Sequence, residues 1–224
     1  MCSSDLLMIE SPEFFPDRVH PNAAGAVVIA KRISEFVKMK TDPSFDLSKS
    51  LPQDAQRFNF YGFQGYNYTF AGRNAKAVVP KRSAPGYPWV WRARCWEHEP
   101  QADIALLERG FHIVYCDVAE LFGNEEALSI WDGFYKMLTG AGLAKKAVME
   151  GMSRGGVYIY RWAAAFPERV AAIYADAPVL DLKSWPGGKW NGKGSPKDWE
   201  TFQRDFNLRT EEEALAFTGN PVAL

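Results

Sequence analysis

Residues 147 to 157 read Ala-Val-Met-Glu-Gly-Met-Ser-Arg-Gly-Gly-Val, and the fold is decided here. A short apolar run comes first, then a G-x-S-x-G made by Gly151, Ser153 and Gly155, then a further glycine, Gly156, and a helical pattern from Val157. An apolar run bounded by glycine is how a buried strand reads. Glycines on both sides of a serine are what a strand-to-helix turn requires when it is too tight for side chains. A serine in such a turn stands above the edge of a sheet at a helix N-terminus, where backbone N–H groups and the helix dipole favour developing negative charge. Ser153 is therefore a candidate covalent nucleophile, and the backbone N–H of Arg154 a candidate oxyanion donor. A phosphate-cradling loop would need Gly-Lys-Ser, Gly-Lys-Thr or G-x-G-x-x-G, and Gly151, Gly155 and Gly156 match none of these.

Working outward, strands and helices alternate. Trp89–Ala93, His112–Asp117, Ala147–Glu150 and Val170–Ala175 read as strands. Helices are expected over Ala102–Arg109, stopped by Gly110, over Glu125–Leu138, and over Val157–Phe166. This β, α, β, α, β, turn, α, β order argues for a mostly parallel sheet. Upstream, Phe58–Phe63 reads as a strand, and Tyr66–Phe70 pairs with Ala75–Val79 across the turn-forming Ala71-Gly72-Arg73-Asn74 as an antiparallel hairpin. Downstream, Pro196–Phe217 reads as short helices, with Thr210 to Glu213 resembling a capping box. At the other end, Ala26, Ile29, Ala30, Ile33, Phe36 and Val37 recur at helical spacing behind a candidate N-cap, Asn22. Residues 41 to 57 show no periodicity and are expected to be a linker. Met1-Cys2-Ser3-Ser4-Asp5-Leu6 resembles a translated sequencing-adapter end and is set aside from the fold.

The chain has 224 residues, 47% hydrophobic and 24% charged, which is enough to bury a core. A net charge of -1 gives no reason to expect a nucleic-acid or anionic-membrane partner; a small molecule is expected instead. Cys2, Cys95 and Cys116 have neither metal-ligand spacing nor an even-numbered framework, so neither a metal nor another cofactor is expected and the compartment stays open. A secreted or periplasmic parent is compatible with that.

Two stretches extend the pattern around Ser153: Pro85-Gly86-Tyr87-Pro88-Trp89-Val90-Trp91-Arg92-Ala93 and Asp176-Ala177-Pro178-Val179-Leu180-Asp181. With the serine motif they resemble the α/β-hydrolase superfamily, in its esterase and prolyl-oligopeptidase-like branch, over about two thirds of the chain. The resemblance implies an α/β fold with a mostly parallel sheet, an acyl-enzyme on Ser153, and a second oxyanion donor around Trp91, Arg92 and Ala93, where the usual His-Gly pair is lacking. It also implies the chain order nucleophile, acid, histidine. The only histidines are His20, His98 and His112, none after Ser153. His112 is expected to pack in the core and His98 to be a solvated loop residue; Asp176 and Asp181 are expected to organise the loop after their strand. The expectation is an incomplete α/β-hydrolase fold over residues 58–224, its acid and base lying in a missing C-terminal piece.

A second constellation is Asp17-Arg18-Val19-His20-Pro21-Asn22. An aspartate three residues before a histidine can hold Nδ1–H and leave Nε2 as a general base. The run resembles the last block of SGNH, or GDSL-type, ester hydrolases, which makes residues 1–40 the scar plus the tail of a lost domain, with Asp17 and His20 a dyad lacking its serine. The expected activity is hydrolysis of carboxylic esters, small or carbohydrate-linked, since Trp185 and Trp190 flank the glycine-rich Pro186-Gly187-Gly188 and indole faces suit sugars. The alternatives are a prolyl-oligopeptidase-like peptidase and a non-catalytic ligand-binding shell.

Overall fold

The computed structural model describes residue 13 and residues 22–35, 45–190 and 192–223. Helix α1 (Ala23–Glu35) comes first, capped as expected by Asn22, whose Oδ1 accepts from Gly25 N at 2.9 Å. Strands β1 (Gln56–Phe60), β2 (Phe63–Phe70), β3 (Arg73–Val79) and β4 (Trp89–Ala93) follow. Then come α2 (Gln101–Glu108), β5 (His112–Cys116), α3 (Glu125–Gly140), β6 (Ala147–Met152), α4 (Gly155–Ala165), β7 (Val170–Asp176), α5 (Pro196–Asp205) and α6 (Glu211–Leu215). All seven strands form one sheet in the order β1-β2-β3-β5-β4-β6-β7. β5, β4, β6 and β7 are mutually parallel and β3 runs against β5, so five of the seven strands, β2 included, share one direction. This is the α/β architecture that the sequence implies, with its antiparallel hairpin at one side.

One strand boundary differs from expectation. Phe58–Phe63 is not continuous, because Tyr61 (φ 49°) and Gly62 (φ 88°) are both left-handed and form a two-residue hairpin loop closed by the Phe60–Phe63 pair. Asn59 Oδ1 accepts from Gly62 N at 2.8 Å and holds the turn. Two successive residues with positive φ suit the right-handed twist of the flanking strands, and a Tyr-Gly pair supplies them less obviously than Asn-Gly does. Ala71 (φ 48°) and Gly72 (φ 75°) repeat the device between β2 and β3.

Both faces of the sheet are covered. On one, Trp89 and Trp91 of β4 pack with Trp131 and Phe134 of α3 and Trp162 of α4, the Trp91 ring centre lying 4.5 Å from that of Trp131 and 5.1 Å from that of Trp162. On the other, Val90, Ile113 and Val148 meet Leu106 and Leu107 of α2, and Ile29 and Ala30 of α1 join them. Thr210 Oγ1 caps α6 by accepting from Glu213 N, as its spacing predicts. In the segment read as a linker, the described part is packed: Leu47 and Leu51 are buried in the first core, and Phe45 stacks on Tyr87 with ring centres 3.9 Å apart. The residues Asp17 and His20 lie outside the described residues. Among the described residues no helix is long and apolar enough to cross a membrane, and no group of three or more His, Cys, Asp or Glu is placed to hold a metal.

The aromatic core sets a large contrast between tryptophans. Trp91→Ala, at a fully buried position, is expected to lower stability by about 3–5 kcal/mol. Trp190, 77% exposed, is expected to change it by less than about 0.5 kcal/mol when replaced by Ala; urea midpoints for the two variants make the comparison.

Candidate active site

β6 lies between β4 and the edge strand β7 and delivers Met152 to the C-terminal edge of the sheet, where it pairs with Asp176 of β7. The next residue, Ser153, turns into a left-handed conformation at φ 50°, which a side chain beyond Cβ rarely adopts and which costs about 1–2 kcal/mol. Three backbone bonds hold it there: Ser153 N donates to Asp176 O at 2.9 Å, and Ser153 O accepts from Gly156 N at 3.0 Å and Val179 N at 2.8 Å. The side chain is exposed although Met152 and Gly155 beside it are buried. α4 begins two residues later, so the backbone N–H of Arg154 heads the helix.

The three glycines are required by contact. A Cβ at Gly151 would meet Ile159 Cδ1 at 2.7 Å and the carbonyl of Gly155 at 2.8 Å, one at Gly155 would sit 2.4 Å from Ala93 O, and one at Gly156 would meet Pro178 Cβ at 2.5 Å. The turn is thus wedged between β4 and the loop after β7, and the serine has nowhere to go but outward.

The positions expected to supply a second oxyanion donor are placed otherwise. Trp91, Arg92 and Ala93 lie inside β4, paired with Met149, Glu150 and Gly151 of β6, so their backbone belongs to the sheet. The loop that does leave the edge beside Ser153 is residues 94–99. Four of its residues, none a glycine, are left-handed: Arg94, Cys95, Glu97 and Glu99, at φ 62°, 48°, 63° and 49°. Arg92, buried to 2% exposure, holds this loop from below. Its Nε and Nη2 donate to Cys95 O at 3.2 and 3.0 Å, Nη2 also donates to His98 O, and Nη1 donates to Glu150 Oε1 at 3.0 Å and to Asp103 Oδ2. Two buried carboxylates share one guanidinium, an excess of negative charge in a dry site. Burial, and then the Asp103 charge, push the Glu150 carboxyl well above the usual carboxylate range. Burial raises the Asp103 carboxyl as well, opposed by the charge of Arg92 beside it. These three residues escape a motif search. Their signal was an arginine and a glutamate set in otherwise apolar strands, at positions that turn out to be directly paired.

Arg154 points its guanidinium away from the sheet. Nη1 donates to Asp198 Oδ1 at 3.0 Å, and the group lies 5.1 Å from the Trp185 ring centre. Asp198 Oδ2 in turn accepts from the hydroxyl of Ser195, the N-cap of α5, at 2.5 Å, so the segment after β7 is tied back to the turn at Ser153. Asp176 is buried at the strand end; Asp181 closes its own turn, Oδ1 accepting from Lys183 N at 2.9 Å. His98 is exposed on the 94–99 loop, and His112 is buried at the start of β5, at the opposite edge. Of the two tryptophans expected as sugar platforms, Trp185 is half-buried and Trp190 is exposed, while Trp89 and Trp91 belong to the core.

Comparison with known families and with curated proteins finds no match. Solved structures that resemble the chain include Candida antarctica lipase A (14% identity, TM-score 0.45, 83% of this chain and 52% of that one). Others are an esterase of the bacterial hormone-sensitive lipase family (13%, 0.43, 86% and 71%) and, in complex with PEG, a cold-adapted esterase from an Arctic intertidal metagenomic library (12%, 0.43, 56% and 65%). The chain thus spans less than two thirds of the last of these and about half of the lipase. With overlaps this limited, the fold assignment rests on this chain's own strand order and elbow.

Two expected outcomes follow from the geometry. Gly155→Ala places a methyl against backbone rather than against a movable side chain, and is expected to cost about 1–3 kcal/mol in denaturant unfolding. Glu150 binds its proton more tightly folded than unfolded, so it supports the fold at low pH and its contribution declines as pH rises above the ordinary glutamate value of 4.5. Glu150→Gln, which imitates the protonated carboxyl, is expected to flatten that decline; an unchanged pH profile in the variant would place the proton elsewhere.

Proposed function

We propose that Ser153 is the nucleophile of a carboxylic-ester hydrolase that works through an acyl-enzyme, with the Arg154 backbone N–H as one oxyanion donor. The observation that carries this reading is the exposed serine held at φ 50° at the head of a helix by three glycines that admit no Cβ. Such a turn stores strain that a structural serine has no use for. In the reaction, Ser153 Oγ attacks the ester carbonyl carbon while its proton passes to a base, and the tetrahedral oxyanion faces the start of α4. Collapse releases the alcohol, which takes the proton, and water repeats the sequence on the acyl-enzyme.

The base comes from elsewhere than the histidines described. His112 stands at the far edge of the sheet, and the backbone of His98 is bonded to Arg92 beneath an exposed loop. We therefore propose that the 224-residue chain alone is inactive or nearly so, that the acid and histidine belong to residues other than these, and that Asp17 and His20 are the remnant of a separate SGNH-type module. Trp185 beside the elbow and the exposed Trp190 favour an aryl or carbohydrate ester as the substrate class.

A fluorophosphonate probe tests the reading on a longer chain that supplies the histidine. Labelling that maps to Ser153 and disappears in Ser153→Ala is expected, with turnover of p-nitrophenyl acetate lost alongside it. Cleavage of peptide but not ester substrates would favour the peptidase alternative. Absence of labelling with an intact histidine present would leave only a ligand-binding shell.

A further inference from the structure

Arg92 of β4 pairs with Glu150 of β6, and Glu150 pairs with Tyr174 of β7, so these three residues and Asp176, two positions beyond Tyr174, share one face of the sheet. α2 brings Asp103 onto the same guanidinium. Arg92, Asp103 and Glu150 are 2%, 0% and 5% exposed. Each carboxyl group gives one oxygen to Arg92 Nη1, Oδ2 from Asp103 and Oε1 from Glu150. Each also keeps one oxygen, Asp103 Oδ1 and Glu150 Oε2, that is fully buried without a donor. The two carboxyl groups stand within hydrogen-bonding reach of one another. A bond between them needs a hydrogen that neither has when ionised.

A single proton held by the pair supplies the donor that both orphaned oxygens lack, and it belongs to the two groups jointly. It also brings the cluster to one guanidinium, one carboxylate and one carboxylic acid, which is neutral. Without it the dry site carries excess negative charge, to which Asp176 adds. Tyr174 beside them stays a neutral phenol, raised by burial. From the loop, Cys95 faces Arg92, and the carbonyls of Cys95 and His98 accept from it. The guanidinium thus divides its donors, Nη1 to the carboxyl groups and Nε and Nη2 to the loop. Once the proton leaves, two carboxylates repel one another and compete for the same guanidinium, at the expense of the loop carbonyls. The left-handed residues 94, 95, 97 and 99 then lose the contacts that fix them.

We propose that Asp103 and Glu150 share one proton that keeps Arg92 on the 94–99 loop, and that loss of this proton to solvent releases the loop and reshapes the sheet edge beside Ser153. The latch stands whether or not Ser153 is a nucleophile; only its bearing on catalysis rests on that reading. Amide hydrogen exchange of the whole chain, read by mass spectrometry on peptides covering residues 94–99, tests it. The parent is compared with Glu150→Gln at each pH, so that the chemical exchange rate cancels in the ratio. The Gln amide accepts from Arg92 and donates to Asp103, so this variant stays latched. The ratio of loop exchange, parent over variant, is expected to be near one at about pH 5 and to rise about tenfold by about pH 9, as loss of one charge-assisted contact does. Asp103→Asn, which places the amide on the other partner, should give the same ratio, and the turn at residues 71–74 should show no change. Infrared spectra of the parent at about pH 7, where exposed carboxyl groups are ionised, should show the C=O stretch of a protonated carboxyl that Glu150→Gln lacks, and lose it over the pH range in which the loop loosens. A loop ratio that stays near one throughout, or a parent without the protonated-carboxyl band, overturns the proposal.

Discussion

At the head of α4 backbone meets backbone: α4 begins so near β4 that a methyl at Gly155 would lie 2.4 Å from the carbonyl oxygen of Ala93. That spacing determines much else. It seats the first turn of α4 on the sheet edge, fixes the direction in which β6 must end, and forces the residue between strand and helix into a left-handed turn. The helix then covers the Trp91 cluster with Trp162. Were the helix moved outward by the width of a methyl group, the aromatic core and the elbow would both loosen, since one helix serves both. Interiors packed to crystal density transmit such changes and do not absorb them.

The second support is electrostatic and lies on the other face of the same two strands. Arg92 and Glu150 are directly paired across β4 and β6, one residue before the paired Ala93 and Gly151, and it is the Ala93 carbonyl that makes the tight contact with Gly155. Placing a guanidinium and two carboxyl groups in that position is expensive, and a buried ion pair is seldom there for stability. What this one does is position backbone: three of its contacts go to the carbonyls of Cys95 and His98 in a loop where four non-glycine residues are left-handed. A loop so conformed holds its shape only if something over-determines it. The guanidinium, with five donors in a rigid plane, is suited to that task and an ammonium is not.

Much of this was legible in the sequence. The elbow could be read because it combines three independent signals: an apolar run, paired glycines and a helical period. The β, α order could be read because Trp89–Ala93, His112–Cys116 and Ala147–Met152 carry too little polarity for anything but buried strands. What could not be read depended on contacts between distant residues. Arg92 and Glu150 look like isolated polar residues until strand order makes them neighbours, 58 positions apart. Tyr61-Gly62 looks like strand because tyrosine favours strands, and only pairing of Phe60 with Phe63 shows the turn. The partner of Arg154 could not be foreseen either, since Asp198 lies 44 positions away in the first turn of α5, behind the N-cap Ser195.

The direction of the sheet also explains why a chain with a well-formed elbow and a buried, neutral histidine does not thereby have a catalytic pair. His112 opens β5 and Ser153 follows the end of β6, and the two strands run parallel on either side of β4. At about 3.3 Å per residue, the length of β5 alone separates the two sheet edges by more than an imidazole can reach. Moreover the Nδ1 proton of His112 is committed to Pro88 O and its Nε2 to Ser83. In a parallel sheet, residues at the beginnings and ends of strands belong to different surfaces, so a group at one edge takes no part in chemistry at the other.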